Sequence, residues 1–189
     1  MPLRTSTENK LLDAADELFF SRGINLTPVD AVLARAGVSA ATMYRGYASK
    51  EALVAAALER RHRAWMDVWD DAAAEASTPR DALLAVFDAL ERFSMRPMGA
   101  RWCAFLGAAA EYLDPPAEIV RAVARDTDAL RDGLRGRAAP VVGDDASSAV
   151  AEQLLLVVSG HLAMRLRQDD LDTSVARSVA AALLDAALL

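Results

Sequence analysis

The sequence predicts an all-α protein, and three observations support this prediction. Apolar residues recur three or four positions apart along nearly the whole chain, which is the spacing of one helix face. No segment shows the two-residue alternation of a strand, and proline or glycine separates the periodic segments. We expect about nine helices: an N-terminal three-helix head, residues 1–48, and a C-terminal antiparallel helical bundle, residues 49–189.

The composition is that of a globular protein. Of the 189 residues, 53% are hydrophobic and 25% are charged, which is enough apolar material for a core. A single cysteine excludes an internal disulfide, and no cysteine and histidine cluster has zinc-ligand spacing. The start lacks the apolar region of a signal peptide, and the run Leu154–Val158 is too short to cross a bilayer. We therefore expect a cytoplasmic protein that contacts no membrane.

Charge is distributed unevenly along the chain. The net charge is −6, but the first 50 residues carry six Lys and Arg against five Asp and Glu, a net +1, and the remainder carries −7. An acidic protein is not an indiscriminate nucleic-acid binder. The pattern fits a protein that meets DNA only through its N-terminal residues.

Turn residues mark the helices of the head. The first helix is predicted from Thr7 to Arg22, with Gly23 as a left-handed C-cap. Thr27 is the predicted N-cap of the second helix, with Pro28 at the first helical position and Asp30 at the third.

A tight turn follows the second helix. Gly37 ends it, Ser39 caps a short third helix, residues 40–47, and Ser49 caps a fourth that reaches about residue 76. Two short helices joined in this way predict a helix-turn-helix, which places its second helix in the major groove of DNA.

The remaining helices are predicted from their apolar periodicity and their breakers. The fifth begins at Thr78-Pro79, and Pro97 to Gly99 separates it from a sixth that stops at Asp114-Pro-Pro116. The seventh carries Ile119 to Leu134 and is followed by a loop, residues 135–143; the eighth and ninth cover about 145–167 and 172–188.

Three stretches of the chain resemble the TetR family of one-component transcriptional regulators. They are Leu11–Gly23, Thr27–Ser39 and Thr42–Leu53, in the order and at the separations of that family. The resemblance implies a homodimeric regulator, most often a repressor, that a small and mostly apolar effector releases from a palindromic double-stranded DNA operator.

The predicted DNA contacts lie around the third helix. Thr42 can bond a base or a phosphate, and Arg45 is the long donor that can grip a guanine. Lys50 adds an ammonium to the N-terminal amides of the fourth helix, where anions bind. The resemblance directs the hydroxyl of Tyr44 to a phosphate and packs Tyr47 in the core. The candidate DNA-binding residues are Thr27, Ser39, Ala40, Ala41, Thr42, Tyr44, Arg45 and Lys50.

Gly46 departs from the family pattern, in which an aromatic residue or histidine commonly donates to the DNA backbone. A glycine cannot make that contact, and it weakens the helix end by about 0.5–1 kcal/mol relative to alanine. This departure supports an alternative, a dimeric helical small-molecule-binding protein with weak or lost DNA binding.

The bundle carries candidates for an effector pocket and for a dimer interface. The resemblance implies a pocket, for which the candidates are Trp65, Trp69, Phe87, Met98, Trp102, Phe105, His161 and Met164. Apolar stripes on the last two helices predict a four-helix interface around a twofold axis, with Leu154, Val158, Leu162, Val175, Val179 and Leu183 as candidates. The alternatives are that these aromatic residues only fill the core, and that a monomer hides the stripes.

An enzyme is not expected. The sequence shows no nucleophile-elbow serine, phosphate-cradling glycine loop, metal-spaced histidine pair or carboxylate dyad. Cys103 lies between aromatic residues with no adjacent lysine or histidine, which favours burial over redox sensing. We expect no metal and no cofactor.

Overall fold

The computed structural model describes residues 3–96, 103–168 and 171–188. Within these ranges the chain is all-α, as predicted, and it has nine helices and no strand. The helices are α1 Thr5–Arg22, α2 Val29–Ala36, α3 Ala40–Gly46, α4 Lys50–Ala74, α5 Pro79–Ser94, α6 Ala104–Glu111, α7 Ala117–Val142, α8 Asp144–Met164 and α9 Ser174–Ala187.

The chain forms two compact units. The first comprises Met1–His62 with Ala100–Ala124, and the second comprises Arg63–Gly99 with Arg125–Leu189. Helices α4 and α7 contribute residues to both. The domain boundary expected after residue 48 therefore falls inside the first unit.

The first unit is built around the apolar faces of α1 to α4. Leu11, Val32, Met43 and Leu53 are fully buried, and the α6 residue Ala108 completes the same core. Residues beyond position 48 thus supply part of the interior on which the three N-terminal helices pack.

The second unit has a separate core formed by α5, α8, α9 and parts of α4 and α7. Trp69, Phe87, Leu134 and Leu184 have no exposed surface there. By length and composition alone α8 could cross a membrane, but its residues Leu154 and Val158 belong to this core.

Two predicted features of the chain path are wrong. Pro28, not Thr27, is the N-cap of α2. The expected loop at 135–143 is helical up to Val142, and Pro140 lies inside α7. Ala138 is fully buried, so burial outweighs the loss of one backbone hydrogen bond that the proline causes near the helix end.

Candidate nucleic-acid interface

The turn between α2 and α3 has the geometry that the sequence predicts. Gly37 adopts the left-handed conformation, with φ 65° and ψ 36°, and ends α2. Val38 N then donates to Leu33 O at 3.1 Å, and Ser39 Oγ accepts from Thr42 N at 3.3 Å to cap α3. The entry of α3 is therefore fixed by hydrogen bonds on both sides of the turn.

One side of α3 is buried and the other is open to solvent. Met43 has no exposed surface, whereas Ala40, Ala41 and Arg45 are exposed and Tyr44 is 50% exposed. A recognition helix requires this arrangement, because one of its faces packs on the protein and the other enters the DNA groove.

Three predicted contact residues are linked along the presented side. The hydroxyls of Ser39 and Thr42 lie 2.9 Å apart, and Arg45 Nη2 donates to Thr42 Oγ1 at 3.1 Å. The spacing of three residues places them on neighbouring turns. The exposed guanidinium of Arg45 is thereby held beside the hydroxyl pair.

Tyr47 packs in the core, as the family resemblance implies. It is 9% exposed, and its hydroxyl donates to Glu8 Oε1 at 3.3 Å. Burial, assisted by the charge of Glu8, raises the pKa of Tyr47 to about 12. The phenol therefore remains protonated and continues to donate to α1.

The structure corrects the predicted role of Thr27. Its side chain is 2% exposed, and its hydroxyl donates to Gly23 O at 2.8 Å and Leu18 O at 3.2 Å. The hydroxyl is already used within the protein and does not present itself to a phosphate. It instead fixes the link between α1 and α2.

The ammonium of Lys50 also points elsewhere than predicted. It donates to Ile24 O at 2.6 Å and lies 5.7 Å from the centroid of the Phe19 ring. It therefore stabilises the link between α1 and α2 instead of standing before the amides of its own helix.

Glu111, at the end of α6, is a site residue that sequence reasoning missed. Its carboxylate accepts from Ile24 N at 2.9 Å and Asn25 N at 2.8 Å, and Asn25 Nδ2 donates to Glu111 O at 2.6 Å. Lys50 holds the carbonyl of the same Ile24. The link between α1 and α2 is thus held by residues of both α4 and α6.

Two ion pairs, also missed, join α4 to α1. Arg60 Nη1 lies 2.7 Å from Asp13 Oδ1, and Arg61 Nη1 lies 3.3 Å from Asp16 Oδ1. The second pair is buried. Burial raises the pKa of Asp16, although the adjacent Arg61 opposes the shift. Displacement of α4 against α1 would have to break these contacts.

The predicted effector residues that the structure describes belong to different cores. Trp65 and Trp69 stack with ring centroids 6.0 Å apart and, with the fully buried Phe87, belong to the core of the second unit. Phe105 belongs to the core of the first unit. Met98 and Trp102 lie outside the described residues.

His161 lines a cleft of about 430 Å³ in the second unit, together with Leu90, Met95 and Arg165. Its side chain is 7% exposed. Burial, assisted by the charge of Arg165, lowers the pKa of His161. Met164 is exposed and does not line this cleft.

The predicted dimer residues separate into two groups. Leu154 and Val158 are fully buried inside the second unit, so their assignment to an interface is wrong. Val175 and Val179 are exposed, whereas Leu162 and Leu183 are partly buried. The sequence analysis also missed an exposed apolar residue of α8, Leu156, because the surrounding run is apolar on every side.

Comparison with known proteins identifies the helix-turn-helix. Residues 11–57 match the sequence model described as "Bacterial regulatory proteins, tetR family". No curated protein matches the chain. Among solved structures, a TetR-family transcriptional regulator from Streptomyces coelicolor is similar over 97% of this chain and 89% of its own, with 26% identity and a TM-score of 0.81.

Two further structures are similar over most of their length. A putative tetR transcriptional regulator from Streptomyces avermitilis shares 29% identity over 96% of this chain and 97% of its own, with a TM-score of 0.80. A TetR regulator from Legionella pneumophila, at 19% identity, shares the fold, with a TM-score of 0.79 over 96% and 98% of the two chains. Residues 11–57 therefore match the DNA-binding region of the tetR family of bacterial regulatory proteins, and the chain is a DNA-binding transcriptional regulator.

Proposed function

We propose that this regulator is a homodimeric repressor that binds a palindromic operator and is released by a small effector. The observation that carries the proposal is the exposed side of α3, on which Ser39, Thr42 and Arg45 are joined by hydrogen bonds. A hydroxyl pair beside a guanidinium can bond base edges and phosphates in a major groove.

Dimer formation is supported by the apolar residues that α8 and α9 leave exposed. Leu156 is 73% exposed, Val175 67% and Val179 46%. An isologous interface built from these helices would fix two copies of α3 relative to each other. A palindromic site requires their separation to be about 34–36 Å, one turn of DNA.

Effector response would act through the residues that hold α1 and α2. Glu111 on α6 and Lys50 on α4 hydrogen-bond the same Ile24-Asn25 segment, and Arg61 joins α4 to α1. An effector that shifts α4 or α6 would therefore change the position of the reading helix. Such a ligand must bind the released state more tightly than the DNA-bound state. We place the protein in the cytoplasm, where the DNA is.

A salt titration of DNA binding tests the proposal. Fluorescence anisotropy of the full chain would be measured with a duplex from the region flanking its own gene. We expect log Kobs to fall linearly with log salt concentration. Arg45→Ala should cost about 1–3 kcal/mol on this duplex and reduce discrimination against an unrelated one. Tyr44→Phe should weaken binding to both duplexes.

Arg22→Ala provides the matched control, since this exposed arginine lies at the end of α1 and takes no part in the proposed interface. It should bind both duplexes like the wild type. If wild type and Arg45→Ala bound the two duplexes equally well, α3 would not read sequence, and the proposed operator recognition would be wrong.

A further inference from the structure

The C-terminal end of the recognition helix α3 holds a residue from the start of the chain. A Cβ atom on Gly46 would stand 2.5 Å from Cδ1 and 2.7 Å from Cγ of Leu3. Real Cβ contacts are essentially never this short, so any other residue at position 46 requires Leu3 to move. Leu3 therefore occupies the space that a side chain at position 46 would fill.

Backbone conformation does not explain the glycine. Positive φ occurs at Gly23, Gly37 and Gly143 among the described residues, and Gly46 is an ordinary residue of α3. Alanine would favour the helix at such a position. What glycine provides here is room for Leu3.

A second contact fixes the same two segments. The Tyr47 hydroxyl donates to Glu8 Oε1 at 3.3 Å, so the residue after Gly46 is bonded to the first turn of α1. The two contacts together hold the start of α1 against the end of α3.

Arg4 lies between these contacts and extends into solvent. It is exposed, and its side chain forms no hydrogen bond to cap α1 and no ion pair with any residue of the described chain. Glu8, the acid of the first turn of α1, accepts from Tyr47. A cation without a carboxylate partner is thus held one residue from the contact with α3.

We propose that Gly46 and Leu3 together hold the N-terminal segment on the recognition helix, so that Arg4 contacts a DNA phosphate at the edge of the groove that α3 reads. Leu3 is a positioning residue and Arg4 is the contacting residue. This inference rests on the proposed operator binding. It also gives Gly46 a function. The glycine has no side chain that could contact the DNA backbone, but it leaves space for Leu3, which positions Arg4 for a backbone contact.

The salt dependence of DNA binding tests this inference. The duplex from the region flanking the gene would be used. Arg4→Ala should reduce the slope of log Kobs against log salt by about one for each N-terminal segment whose Arg4 contacts a phosphate. When the salt concentration rises fourfold, the variant should therefore lose about threefold less affinity than the wild type for each phosphate that Arg4 no longer neutralises. Arg22→Ala, at the other end of α1, should change neither quantity.

A double-mutant cycle separates positioning from helix stability. Leu3→Ala and Gly46→Ala should each reduce the slope, Leu3→Met should retain it, and the double variant should bind no more weakly than Leu3→Ala alone. Both single variants disturb the packing of Leu3, but the Tm of Gly46→Ala should be no lower than that of Leu3→Ala, because alanine favours a helix more than glycine does.

Two results would contradict the inference, and they differ in meaning. If Arg4→Ala kept the wild-type slope while Arg45→Ala lost affinity, the N-terminal contact would be wrong and operator binding would stand. If the wild-type chain failed to bind the duplex at any salt concentration, the operator proposal would fail together with the inference.

Discussion

At the scale of single residues, the charge of His161 depends on the groups that surround it. His161 lines the cleft of the second unit, and the charges that face it come from Arg165, the residue after its own helix, from Glu91 on α5 and from Asp172. Burial and Arg165 lower its pKa, while the two carboxylates oppose the shift. The neutral imidazole is therefore favoured in the folded protein.

Stability should consequently depend on pH through His161. A histidine with a lowered pKa binds fewer protons folded than unfolded, so its contribution is present above the unfolded value of 6.5 and is lost as pH falls through the folded pKa. We expect His161→Gln to lose less Tm than wild type between about pH 7.5 and about pH 5.5. Calorimetry at the two values measures this difference, and equal losses would show that His161 does not contribute.

At the scale of elements, the contact between α6 and the link from α1 to α2 is the main finding. Glu111 supplies a carboxylate to two consecutive backbone amides, and the adjacent Asn25 side chain returns a bond to the Glu111 carbonyl. Hydrogen bonds to a charged group contribute about 1.5–3 kcal/mol where they are shielded from water. The partial exposure of this site puts its contribution at the low end.

Glu111→Ala should therefore loosen the link between α1 and α2. We expect the free energy of unfolding to fall by about 1–2 kcal/mol, since two backbone amides lose a charged acceptor. DNA affinity should fall as well. Asp114→Ala removes the same charge from a neighbouring exposed residue and is the control. Denaturant titration and anisotropy measure the two effects; a change equal to that of the control would argue against a specific role.

Local sequence signals predicted much of the N-terminal head but little of the long-range contacts that stabilise it. Ser39 and Gly37 act within one turn of their own positions, and both are confirmed. The Glu111 carboxylate meets Asn25 across 86 residues, a contact that no local pattern encodes. Pro140 misled the prediction of a loop because the burial of Ala138 could not be read from spacing alone.

At the scale of the whole molecule, the proposed function depends on two copies of α3 at a fixed separation. The sequence indicated helices α8 and α9 for this role, but periodicity could not tell which of their apolar faces was covered. The structure buries Leu154 and Val158 and leaves Leu156 and Val179 exposed. The exposed residues are the candidates for an isologous interface.

Introducing a charge on the exposed face should produce a monomer. Leu156→Asp places a carboxylate where a partner helix would cover it, and burial of an unpaired charge is strongly unfavourable. Val120→Asp adds the same charge to an exposed valine of α7 and should leave the dimer intact. Light scattering after size-exclusion chromatography measures the mass. A wild-type monomer, or a dimer of Leu156→Asp, would exclude this interface.

The most direct test of the account is dimethyl sulfate footprinting of the bound duplex, because guanine N7 lies in the major groove. Two copies of α3 predict two protected guanine patches on one face of the DNA, about 10–10.5 base pairs apart, and weaker protection with Arg45→Ala. One patch alone, or binding with every guanine N7 still reactive, would contradict paired reading of the major groove.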